Sequence, residues 1–141
     1  MSPKKISSST STERILTEVE LELMNIVWSL NKATIKEVTS HLPKERPLAY
    51  TTVATVLKVL EQKGFLECQK NSYAHVFTPI VTKSDYESTC LDHIVANVFD
   101  GEPVALVQRL LMAKKLPHAD IEAIEKALKQ LITSESSKGV Q

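Results

Sequence analysis

The sequence predicts a mostly α-helical protein with a small β-hairpin, organised as a compact N-terminal region and a helical C-terminal one. Three observations carry this reading. Two Thr-x-x-Glu pairs mark helix starts near the beginning of the chain. A run rich in threonine and valine, residues 50–62, alternates badly with period two but cleanly with the helical period. Amphipathic helical stripes then recur after Thr78, with only short breaks between them.

Thr17 with Glu20 has capping-box spacing, and Leu16 and Leu21 stand where a hydrophobic staple would be. Leu23, Met24, Ile26, Val27, Trp28 and Leu30 then predict a heavily buried helix to about residue 30. Thr34 with Glu37 opens a short amphipathic helix through Ile35, Val38 and Leu42, stopped by Pro43. In the next segment Val53, Val56, Leu57 and Leu60 form one stripe, and Thr51, Thr55, Lys58 and Gln62 the opposite one. Lys63 and Gly64 supply a basic last turn and a left-handed stop. "FLECQ" and "YAHVFT" read as two strands around the turn "KNS". Beyond Thr78, Thr82 with Asp85 resembles another capping pair. Tyr86, Leu91, Ile94, Val95, Val98 and Phe99 keep helical spacing up to Gly101. Pro103 opens a helix with Val107, Leu110 and Leu111, and Ile121, Ile124, Leu128 and Leu131 stripe a further one.

The chain has 141 residues, 17 basic and 17 acidic, so no global charge announces a nucleic-acid or membrane partner. The basic surplus is local, ten against eight up to Thr78 and seven against nine after it. Two cysteines, Cys68 and Cys90, cannot build a disulfide framework or a four-ligand zinc site, which suits a reducing cytoplasm. No signal peptide or long apolar run is evident, so export and membrane insertion are not expected. Both ends are polar and rich in Ser and Thr. The expected organisation is a disordered arm over 1–15, a compact domain over 16–80, a helical domain over 81–132 and a disordered tail over 133–141.

Helix, helix, loop, helix, hairpin is the order of a winged helix-turn-helix domain, whose third helix lies in a DNA major groove. That gives the threonines a role, because a helix approaching base edges needs short neutral hydrogen-bonding side chains on its outer face. The plainer alternative is that Thr51, Thr52 and Thr55 are solvated helix positions. Three short amphipathic helices also have too little protein of their own to cover them, and burial against a second copy is the simplest solution. Packing back onto the same N-terminal domain is the alternative.

The stretches "LTEVELELMNIVW", "YTTVATVLKVLEQKGFL", "HVFTPIV" and "VFDGEPVALVQRLL" resemble the penicillinase-repressor family (BlaI/MecI/CopY) of bacterial transcriptional repressors, from about Leu16 to Leu131. The resemblance implies a homodimer on a palindromic double-stranded DNA operator, often with TACA/TGTA half-sites. On that basis Tyr50, Thr51, Thr52, Thr55 and Lys58 are recognition-helix candidates, with Arg46 and Lys44 in the preceding loop and Lys70 and Ser72 in the wing as backbone contacts. Leu91, Ile94, Val95, Val98, Phe99, Val107, Leu110, Leu111, Ile124 and Leu128 are the dimerisation candidates. The competing reading is a winged-helix protein-interaction module without a specific DNA site. A third, a small-molecule sensor that also represses, requires a cavity among the C-terminal helices.

The resemblance also implies, for its β-lactam-resistance members, a membrane sensor-protease partner that cuts an Asn-Phe bond. The matching pair here is Arg109-Leu110, which does not support cleavage at that bond. Copper-responsive members carry a cysteine-rich C-terminus, and this chain has no cysteine after Cys90. His41, His75, His93 and His118 lack metal-ligand spacing, and no nucleophile elbow, HExxH or phosphate loop is present. The expectation is a non-enzymatic protein with no cofactor and no metal. Cys68 would be a redox sensor only with a depressed pKa, and a half-buried structural thiol is the expected state.

Overall fold

The computed structural model describes residues 15–71, 73–113 and 116–139. Their helices and strands run in the order α1 (Glu18–Leu30), β1 (Ala33–Thr34), α2 (Ile35–Ser40), α3 (Tyr50–Gln62), β2 (Leu66–Lys70), β3 (His75–Pro79), α4 (Lys83–Asn97), α5 (Pro103–Ala113) and α6 (His118–Gly139). The result is mostly helical with one small antiparallel sheet of strand order β1-β3-β2.

Both capping boxes form. The Thr17 hydroxyl accepts from the Glu20 amide at 3.2 Å, and the Glu20 carboxylate accepts from the Thr17 amide at 2.9 Å. The same reciprocal pair joins Thr34 and Glu37, at 3.1 and 2.9 Å. Thr82 caps α4 by accepting from the Asp85 amide at 3.0 Å. At the end of α3, Phe65 N–H donates to Leu60 carbonyl at 2.9 Å and Gly64 N–H to Glu61 carbonyl at 3.1 Å. Gly64 sits at φ +89, so this is a Schellman stop, and any other residue there would be strained. Phe65 and Leu60 are both buried, the apolar contact that accompanies such a stop.

Leu23, Met24 and Val27 from α1, Val38 from α2, Val53, Leu57 and Leu60 from α3, and Leu66 from β2 are fully buried and build one core. The stripe expected on α3 is therefore the inner face, with Val56 partly buried at its edge. The hairpin pairs Leu66 with Pro79, Cys68 with Phe77 and Lys70 with His75. Leu66 and Phe77 are buried, so alternation puts Lys70 and His75 on the helix-facing side of the sheet, beyond the core.

Several boundaries differ from the sequence expectation. The second strand begins at His75, leaving Tyr73 in the turn, because the Asn71 side chain accepts from the Tyr73 and Ala74 amides at 3.2 and 3.0 Å and closes the tip. The two-residue β1 was not anticipated, since it exists only through pairing of Ala33 with Phe77 and Thr34 with Val76. The described residues form two compact units, divided between Ile94 and Val95 within α4. Tyr86 joins the start of α4 to the first unit. It is buried, lies tilted at 5.8 Å from Trp28 and edge-on at 5.9 Å to Phe65, and accepts from the Leu16 amide at 2.8 Å. Trp28 Nε1–H also donates to Val81 carbonyl at 2.9 Å, tying the linker to α1. Helix α6 runs to Gly139. Residues 133–138 hold no proline or glycine to break a helix already propagating.

Glu20 also joins α1 to the end of α3, its carboxylate accepting from Lys63 Nζ at 2.8 Å. Burial pushes this carboxyl up, but the Lys63 hydrogen bond, the Thr17 amide and the Lys63 charge outweigh it and hold the pKa below the ordinary 4.5. A lowered folded pKa contributes stability above the unfolded value that is lost as pH falls through the folded one. Lys63→Met is expected to cost about 1–2 kcal/mol at neutral pH. Urea midpoints at pH 7 and pH 3 check this: the gap between variant and wild type should shrink at the acid end.

Candidate nucleic-acid interface

The site is the outward side of α3 with the loop before it and the hairpin beside it. Fixing Val53, Leu57 and Leu60 in the core forces Thr51, Thr55, Lys58 and Gln62 outward, and all four are exposed. Thr52 and Tyr50 are exposed at the start of the same helix. The stripe carries no acid. Thr55 Oγ1 donates back to the Thr51 carbonyl at 2.9 Å, and the exposed hydroxyl oxygen keeps lone pairs with which to accept. Such a group can accept from a base amino group or meet a thymine methyl.

The structure does not bring all candidates to this face equally. Lys44 is exposed in the turn between α2 and α3. Arg46 stands near it but pairs with Glu22 of α1 at 3.7 Å, so part of its charge is already directed at the protein. Lys70 is exposed at the end of β2. Ser72 lies outside the described residues.

The sequence reading missed the cleft between α2, α3 and the wing, a 430 Å³ space lined by Thr34, Ile35, Lys36, Tyr50, Tyr73, Ala74 and His75. Tyr73 is 98% exposed. A bulky aromatic directly after the polar turn residues was the available signal, but assigning Tyr73 to the strand hid it.

Other chemistry is weak here. Among the described residues no group of three or more His, Cys, Asp or Glu is placed to hold a metal ion. Cys68 is half-buried against the core. Burial and then the Glu61 charge push its thiol pKa up, which argues against a reactive thiolate. Burial and then the Cys90 thiol push the Tyr86 phenol up to about 12, so it remains a neutral acceptor-donor in the core. No helix among the described residues is long and apolar enough to cross a membrane.

The dimerisation candidates divide. Leu91 and Ile94 belong to the first unit and the others to the second. Leu91, Ile94, Val98, Val107, Leu110, Leu111 and Leu128 are exposed, while Val95, Phe99 and Ile124 are half-buried. No residue of α5 is buried.

A three-helix core, an antiparallel wing and a polar, acid-free outer stripe on the third helix define a winged helix-turn-helix protein of the DNA-binding class. Residues 16–130 match the model of the penicillinase repressor family, and the chain belongs to that family. Its members are transcriptional repressors and not enzymes. The chain is 25% identical over 115 residues to the penicillinase repressor of Bacillus licheniformis, covering 82% of this chain and 90% of that one. It is 27% identical over 119 residues to the transcriptional regulator BlaI of Mycobacterium tuberculosis, covering 82% and 84%. The solved DNA-binding domain of the repressor BlaI is also similar, with 32% identity, a TM-score of 0.46 and coverage of 50% of this chain and 87% of that domain.

Proposed function

We propose that this chain is a sequence-specific transcriptional repressor that acts in the cytoplasm as a homodimer on a palindromic operator. Its two α3 helices enter successive major grooves, and the loop and wing hold the backbone. The observation that carries this is the outward stripe of Thr51, Thr55, Lys58 and Gln62 on a helix whose opposite face buries Val53, Leu57 and Leu60 completely. Family membership supports the repressor role. The homodimer is supported by the exposed apolar side chains of the second unit, among them Val98, Val107, Leu110, Leu111 and Leu128. Repression follows from occupying a promoter and excluding polymerase.

A mobility-shift assay on the chain's own upstream region, at stated salt and with excess competitor DNA, tests the reading. A repressor gives a complex that resists competitor. A winged-helix protein-interaction module gives none, or one that competitor removes. Within this assay Lys58→Ala should weaken binding and lower the log-log salt slope by about 0.9 per lost phosphate contact. An unchanged slope and affinity would remove Lys58 from the interface.

A further inference from the structure

We propose that the cleft between α2, the start of α3 and the wing tip seats one sugar-phosphate strand of bound duplex DNA. In it Tyr50 and Tyr73 donate phenol hydrogen bonds to phosphodiester oxygens from the cleft's two walls. The inference rests on the repressor reading and adds to it Tyr73 and Lys36, with a phosphate-positioning role for Tyr50.

The cleft lies one residue from the outward stripe, since Tyr50 directly precedes Thr51, and its far wall is the wing tip. A strand flanking the bases met by α3 would therefore pass through it. Its lining suits an anion. Lys36 brings a positive charge, Thr34, Tyr50, Tyr73 and His75 carry groups that can donate, and no carboxylate stands among the described lining residues. The neighbouring acid, Glu37, is occupied by the Thr34 amide at 2.9 Å. His75 faces the helices because it shares the parity of buried Phe77, and cross-strand pairing sets Lys70 opposite it.

Tyr73 is the informative residue. A tyrosine ring left 98% exposed on a tip ordered by Asn71 contributes nothing to the core. An amphipathic ring with a terminal hydroxyl suits a surface that is covered only when a partner arrives. Tyr50, 54% exposed on the opposite wall, is the matching group.

The test uses the full chain and a labelled duplex that the wild type binds specifically. Tyr50→Phe and Tyr73→Phe remove only the hydroxyls and should each lower affinity about tenfold. Their salt slopes should equal that of the wild type, because a neutral phenol releases no counterion. Lys36→Gln should reduce the slope by about 0.9. A methylphosphonate at the clamped position should erase the difference between each phenylalanine variant and the wild type. Phenylalanine variants that bind this duplex like the wild type would overturn the clamp and leave the repressor reading standing. If the wild type itself forms no specific complex with any duplex, the repressor reading fails first and the clamp with it.

Discussion

Aspartate at both Leu110 and Leu128 is expected to leave the chain monomeric and to lower its affinity for a two-half-site operator about 100- to 10,000-fold. Both side chains lie half in water, at 50% and 52% exposure, within a unit that buries no residue of α5. Covered by a second copy, each would lose apolar surface from water worth about 25 cal/mol per Å². A carboxylate in the same place would be desolvated without a partner, which opposes association strongly. The DNA penalty follows because two linked recognition helices bind the second half-site at high effective concentration, an advantage of about 100- to 10,000-fold that a monomer lacks. Sedimentation gives the mass and titration of a two-half-site duplex gives the affinity. Binding to a single half-site should change little. A double variant that still sediments as a dimer would show that neither leucine is needed for the interface.

Leu57→Ala is expected to destabilise the winged helix by about 2–5 kcal/mol, the cost of deleting a fully buried leucine and leaving a cavity. Domains of this size have only about 5–15 kcal/mol in total, so the midpoint in urea should fall sharply. Leu57 is also on the inner face of the helix that carries the outward threonines, so its loss loosens the recognition surface from behind. Corrected for folded fraction, the variant should keep the wild type's sequence preference while binding less tightly. A loss below about 1 kcal/mol would contradict the placement of Leu57 in the core.

Much of this architecture is written locally. The pairs Thr17 with Glu20 and Thr34 with Glu37 are three residues apart, and reciprocal capping needs nothing from the rest of the chain. The same is true of the stop at Lys63 and Gly64, and of the stripe on α3, where periodicity alone separates the buried valines and leucines from the threonines. What could not be read depends on distant partners. Strand β1 forms because Phe77 and Val76 return beside Ala33 and Thr34. The start of α4 joins the first unit because Tyr86 finds Trp28, Phe65 and the Leu16 amide, and helical spacing cannot say which core a stripe will join. Position in the loop made Arg46 a backbone-contact candidate, and only the fold brings Glu22 of α1 to it. Tyr73 was hidden by a side-chain closed turn that moved the strand start by two residues.

In the proposed mechanism α3 reads bases through Thr51 and Thr55. Affinities of wild type, Thr51→Ala and Thr55→Ala should be compared on the operator and on single-base-pair operator variants, at one fixed salt concentration. Loss of a specific base contact should cost about 1–3 kcal/mol on the operator and flatten the preference at one base pair of each half-site. Because both positions are exposed, neither substitution should disturb folding. If both alanine variants keep the wild-type affinity and the wild-type base preference, the threonines touch only water and the recognition-helix assignment is wrong.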